Sequence, residues 1–199
     1  MNYNDFAKEI HINAVEHGWW DEECSVGEIL ALCHSEVSEA LEEYRGARPN
    51  LYALDYAGDD AGCPRFIFDP DEFEGRKPEG IATELADVVI RCFDWFGRMG
   101  IDAAGLITEA KGGERWLSDF PLYRVNRFGD LIAALLMCLA LAYRCYCNAA
   151  GVHATALRMA VCCNLIFEWA QCHGVDMEEI MRIKHEYNKT RPYKHGKVM

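Results

Sequence analysis

The sequence predicts an all-α fold. Apolar residues recur at three- and four-residue spacing along most of the chain, which is the period of amphipathic helices. Capping residues and glycines mark helix starts and stops. Strand alternation is hard to find, so no extended sheet is expected.

The elements follow in order. A first helix is expected from Asn4 to His17, stopped by Gly18. Ser25 opens the string SVGE, a capping box with Glu28 at the third helical position. The helix it starts runs to Arg45 and ends at Gly46. Residues 46–80 hold four prolines and five glycines and read as a long irregular segment, the kind that carries function or moves. A third helix spans Ile81 to Met99, ending at Gly100. Asp102 can cap a short fourth helix that breaks at Gly112 and Gly113. Two long helices are expected at 127–149 and 153–173. Asp176 caps a last one that runs to Thr190, and a basic tail closes the chain.

The 199 residues fit one domain with a large core, read as three segments. Residues 1–110 carry the acidic helices, 112–174 an inserted or duplicated hairpin, and 175–199 the last helix and the tail. A net charge of −12 argues against binding a nucleic acid polymer or an anionic membrane. The apolar run LIAALLMCLALAY, residues 131–143, is shorter than the ~20 residues of a membrane span. It reads as a helix too hydrophobic to face water, buried against the 26–45 and 81–99 helices. No secretory signal pattern opens the chain, and the ten cysteines include no CxxC pair. Cys145, Cys147, Cys162 and Cys163 can group across two helices, but reduced core thiols in a cytoplasmic protein are the expectation.

Residues FDWFGRMGIDAAGLI, from 93, and FEWAQCHGVDMEEIM, from 167, match at Phe, Trp, Gly and Asp with a constant offset of 74. Either the helical unit is duplicated, or two capped hairpins look alike.

The chemistry lies in HSEVSEALEEYR, residues 34–45. Glu36 and Glu39 are three apart, so they project from one helix face, and Glu43 continues the row. Glu84 and Asp87 repeat the spacing on the third helix. Both pairs border apolar residues. Four carboxylates brought together repel, and some would take up protons without a compensating cation. Mg²⁺ prefers such oxygen ligands and keeps waters for phosphates; Mn²⁺ is a possible substitute. The plainer alternative is that the acids are solvated and that Asp87 pairs with Arg91 one turn on. The tail RIKHEYNKTRPYKHGK, residues 182–197, holds six of the twenty Lys and Arg residues. It is either a phosphate-neutralising cluster or a solvated end.

With EVSE, ELAD and the tail in view, the chain resembles the MazG-like members of the all-α nucleoside triphosphate pyrophosphohydrolases, in their phage and bacterial branch. The resemblance covers residues 5–110 and 174–199. It departs from the family in a longer gap between Glu39 and Glu84 and in the 112–174 interruption. It implies a helical bundle of that type with an extra hairpin, in which the duplicated unit stands in for a second subunit. A homodimer through other faces remains open. It also implies an Mg²⁺-dependent hydrolase that cleaves a nucleoside triphosphate substrate to the monophosphate and pyrophosphate. The metals would be held by Glu36, Glu39, Glu84 and Asp87. Glu39, more than Glu36, would take the proton from water. Lys184, Asn188, Arg191 and Lys197 would meet the phosphates. Trp20 would stack on the base or fill the core, and His11 is equally ambiguous. The rival is a non-catalytic helical interaction protein that keeps the acids for a structural metal or for solubility. A carboxylate-bridged iron or manganese protein would want Glu-x-x-His, which neither pair supplies.

Overall fold

A computed structural model describes residues 1–56, 64–112 and 127–196. Its described residues form seven α-helices: α1 (Tyr3–Glu16), α2 (Val26–Arg45), α3 (Ile81–Met99), α4 (Ala103–Gly112), α5 (Phe128–Cys147), α6 (Val152–Cys172) and α7 (Met177–Lys189). Two strands, β1 (Ala53–Asp55) and β2 (Arg65–Ile67), pair antiparallel between α2 and α3. The fold is all-α apart from this small sheet.

Local chemistry sets the helix ends where the sequence puts them. The Asn2 side chain accepts from the Asn4 and Asp5 amides at the start of α1. Ser25 and Glu28 complete the capping box: the Ser25 amide donates to Glu28 Oε2 at 2.6 Å, and the Glu28 amide to Ser25 Oγ at 3.1 Å. Asp102 accepts from the Gly105 amide at 3.0 Å, and Asp176 from the Glu179 amide at 3.1 Å. Gly100 stops α3 in the left-handed conformation, with φ 62°, where a side chain would be strained.

Helix α2 packs on α3, and α5 on α6; α2 also lies against α5 and α3 against α6. One hydrophobic cluster runs through all seven helices. Leu85, Leu131, Leu135 and Leu139 are fully enclosed in it, each contributing about 2 kcal/mol of apolar burial. The connections cross. Helix α4, which leaves α3, packs on α6, while α7, which leaves α6, packs on α3. Asn164 on α6 donates from Nδ2 to the Ile107 carbonyl on α4 at 3.0 Å. On the other side Lys184 of α7 reaches Asp87 of α3 at 3.0 Å. The crossing is thus reciprocal, each short helix lying on the long helix of the other pair.

Two expectations need correction. The 46–80 segment is not wholly irregular. Ala53 pairs with Ile67 and Asp55 with Arg65, and Tyr52 bridges to Glu79. Strands of three residues are too short to carry a readable alternation. The second concerns α5. It is a 20-residue helix, long and apolar enough by length and composition to cross a membrane. One side is buried on α2 and α6, but Met137 (46% exposed), Tyr143 and Tyr146 face outward. The 127–173 hairpin thus packs on the 26–45 and 81–99 helices as expected, but one face of α5 meets water despite its apolar composition.

Candidate functional site

Helices α2 and α3 lie side by side and turn their acidic faces toward each other. One carboxylate oxygen from each of Glu36, Glu39 and Glu84 lies within 4.8 Å of the others. Glu36 and Glu84 are buried and Glu39 is exposed. The core forces this arrangement. Cys33, Val37 and Ala40 on α2, and Leu85, Val88 and Cys92 on α3, are all buried, and the acids sit at the border of the same stripes. Among the described residues Glu39 receives one long hydrogen bond, from Ser35 Oγ at 3.4 Å.

The cluster is partly neutralised from within. Arg91 on α3 donates to the Glu36 carboxylate, from Nε at 2.9 Å and also from Nη2. Lys184, almost fully buried, lies 3.0 Å from Asp87 and 3.9 Å from Glu84, and donates to the Pro78 carbonyl at 3.2 Å. Lys77 approaches Glu84 at 3.8 Å from the rim. The pairing differs from the one-turn Asp87–Arg91 contact weighed from the sequence. Arg91 bridges helices instead, and Asp87 takes its cation from α7.

Electrostatics record the crowding. Burial, aided by the neighbouring Asp87 and Glu36 charges and opposed by Lys184, pushes the Glu84 carboxyl up to about 7. Burial also raises Glu36, against the pull of Arg91. Burial disfavours the Lys184 ammonium, yet Asp87 and Glu84 outweigh it and hold the amine above its ordinary value.

The donor set fits a hard divalent cation. It is all oxygen, with no sulfur or imidazole. Glu36, Glu39 and Glu84 would hold such an ion, each offering one carboxylate oxygen. Four carboxylates against Arg91, Lys184 and the rim cation Lys77 still leave negative charge that a divalent ion would balance. Among the described residues no other group of three or more such side chains comes close enough to share an ion, so the cysteines assemble no site there. Cys162 and Cys163 are buried, while Cys147 is exposed.

A cavity of about 110 Å³ opens beside the cluster. Asp87 and Arg91 line its near side, and Asp94, Trp20, Asn188 and Arg191 line more of it, between apolar walls of Ile10, Ile29 and Ile90. Trp20 Nε1 donates to Asp94 at 3.0 Å, and His11 Nδ1 lies 2.7 Å from the same carboxylate. The His11 ring meets Trp20 edge-on, and the Arg98 guanidinium covers the indole at 5.1 Å. Burial raises the Asp94 carboxyl, and its bonds to His11 and Trp20 work against this. Among the described residues no group hydrogen-bonds the buried Oδ1 of Asn188.

Set against protein-family models, curated proteins and solved structures, the chain matches none.

The sequence-derived residues therefore fall into groups. Glu36, Glu39 and Glu84 converge, with Asp87 turned to Lys184. Trp20, Asn188 and Arg191 meet at the cavity. His11 stands behind Trp20 as a support for Asp94. Lys184, expected at the phosphates, is enclosed and occupied by the acids. Lys197 lies outside the described residues. Sequence reasoning missed Arg91 and Asp94 as site residues. Their signal was the i, i+4, i+7 spacing of Asp87, Arg91 and Asp94 on one face of α3.

Proposed function

We propose that the chain is an Mg²⁺-dependent nucleoside triphosphate pyrophosphohydrolase. The observation that carries the reading is the convergence of Glu36, Glu39 and Glu84 within 4.8 Å, beside a cavity lined by an aromatic ring, a half-buried amide and an arginine. Carboxylates at this density serve a bound cation better than they serve the fold, since they raise each other's proton affinity.

Glu36, Glu39 and Glu84 would hold the metal, with Asp87 next to them. When bound, the ion supplies neutralising charge to the phosphates and acidifies water. The chain's own residues do the rest. Glu39 is exposed and only weakly bonded, so it is free to accept the proton of the attacking water, whereas Glu36 is committed to Arg91. Water adds at phosphorus as the oxygen bridging the α- and β-phosphates leaves with its electron pair, giving monophosphate and pyrophosphate. Arg191 at the cavity mouth is the cation best placed to meet a phosphate. Trp20 and the apolar walls would take the base.

The second reading is a non-catalytic helical protein with an acidic patch. One observation favours it: Arg91 and Lys184 partner Glu36 and Asp87 from within the fold. Incubation of the purified protein with each nucleoside triphosphate, with Mg²⁺ or with chelator, separates the two. Metal-dependent release of pyrophosphate from at least one substrate is expected. Silence across the whole panel would leave the second reading.

A further inference from the structure

The outward face of α5 has an order that the proposed chemistry does not use. Asp130, Ala133, Met137, Ala140 and Arg144 follow one another at spacings of three, four, three and four, and all five are exposed. That is the 3.5-residue repeat of a coiled-coil seam. Its middle is apolar and small, flanked by the half-buried Leu141. Asp130 and Arg144 stand seven residues on either side of Met137, one acid and one base.

Laid against a second copy of itself in antiparallel fashion, with Met137 on the two-fold axis, the charged ends of this stripe are complementary to one another. Asp130 of each helix falls opposite Arg144 of the other, and Ala133 opposite Leu141. The alanines allow the close end of the 8–10 Å range of helix separation, over a seam of about 21 Å. Each charge also suits its own helix dipole, the acid in the first turn and the base in the last. A protein of net charge −12 repels its own copies over most of its surface. This stripe is balanced in charge and can bring two copies together.

We propose that the chain forms a two-fold dimer through an antiparallel α5–α5 pair centred on Met137. The occupant of the exposed apolar face is thus a second copy of this chain, and the acidic site on α2 and α3 remains complete within each subunit.

Sedimentation velocity on the full chain over the micromolar range tests this, with circular dichroism to check helix content. The wild type is expected as a dimer. Met137→Glu places two carboxylates at the axis and is expected to give a monomer of unchanged helicity. Asp130→Arg alone is expected to weaken association about tenfold or more by facing like charges, and Asp130→Arg with Arg144→Asp to restore it. A monomeric wild type overturns the proposal. So does a dimer that Met137→Glu leaves intact. Failure of the double exchange to restore what the single one loses overturns the antiparallel register. Flotation of the wild type with phosphatidylcholine vesicles, abolished by Met137→Glu, would assign the stripe to a membrane and overturn it too. Each readout is independent of catalysis.

Discussion

Arg91 on α3 donates from Nε to the Glu36 carboxylate on α2 at 2.9 Å. The bond joins the two helices that carry the acidic pairs, at a glutamate only 6% exposed. It ties the acidic faces together, and it opposes the rise that burial imposes on the Glu36 carboxyl. Removing the guanidinium leaves a buried charge alone. Arg91→Ala is expected to lower stability by about 2–3 kcal/mol, read as a shift of the urea midpoint, and added Mg²⁺ is expected to recover part of the loss. An unmoved midpoint would show that Glu36 has found water instead.

The carboxylates make a sharper claim on activity than on folding. Glu36→Gln, Glu39→Gln, Glu84→Gln and Asp87→Asn are each expected to remove most Mg²⁺-dependent hydrolysis while helix content holds. Near-wild-type turnover by any two of them would sink the site.

The raised Glu84 carboxyl gives the metal-free protein a pH signature. Its folded value is about 7, above the ordinary 4.5. Between these values the folded state binds a proton that the unfolded state does not, so stability rises as pH falls from about 7 toward 4.5. Above 7 the full penalty is present. Glu84→Gln is therefore expected to stabilise the chelator-treated protein at pH 8, by roughly 1–3 kcal/mol, with the gain fading by pH 4.5. Thermal unfolding of both proteins at several pH values checks this. A gain that grows toward acid would reverse the assignment.

Gly97 on α3 supports the site from behind. A Cβ built there would come within 2.7 Å of His11 Cβ and closer still to the Ala7 carbonyl, both on α1. Backbone does not yield easily, so α1 must move. Gly97→Ala is expected to cost about 1–3 kcal/mol and to displace His11 from Asp94. The second effect is visible as a change in Trp20 fluorescence, because Trp20 shares that carboxylate. Full stability with unchanged fluorescence would refute the close packing.

The tail is anchored. The Tyr193 hydroxyl donates to Asp21, and the Lys194 amide to the His17 carbonyl at 2.9 Å. These contacts fasten the chain after Arg191 to the turn that carries Trp20. Truncation after Thr190 is expected to weaken substrate binding more than it alters helix content. Arg191→Ala alone is expected to raise KM about tenfold, the loss of one charge-assisted contact of roughly 1.5 kcal/mol. Unchanged kinetics after truncation would mark the tail as an inert end.

The sequence by itself determined the helices, their caps and their apolar faces, because these depend on residues within about four positions of one another. It also placed Glu36 beside Glu39 and Glu84 beside Asp87, for the same reason. Which acids would meet depended on how α2 and α3 rotate as their buried stripes interlock, and that is a property of packing. Tertiary structure alone sent Arg91 to Glu36 rather than to its own-helix neighbour Asp87, because a guanidinium at the helix border reaches across to the more deeply buried charge. It likewise drew Lys184 inward, since α7 crosses onto α3 just where two carboxylates need a cation. Asp94 became a site residue only when α1 and the turn after it delivered His11 and Trp20 to its side. The strand pair was illegible because three residues cannot display a period. The exposed stripe of α5 was hidden because composition records how apolar a helix is, whereas its neighbours decide which side they cover.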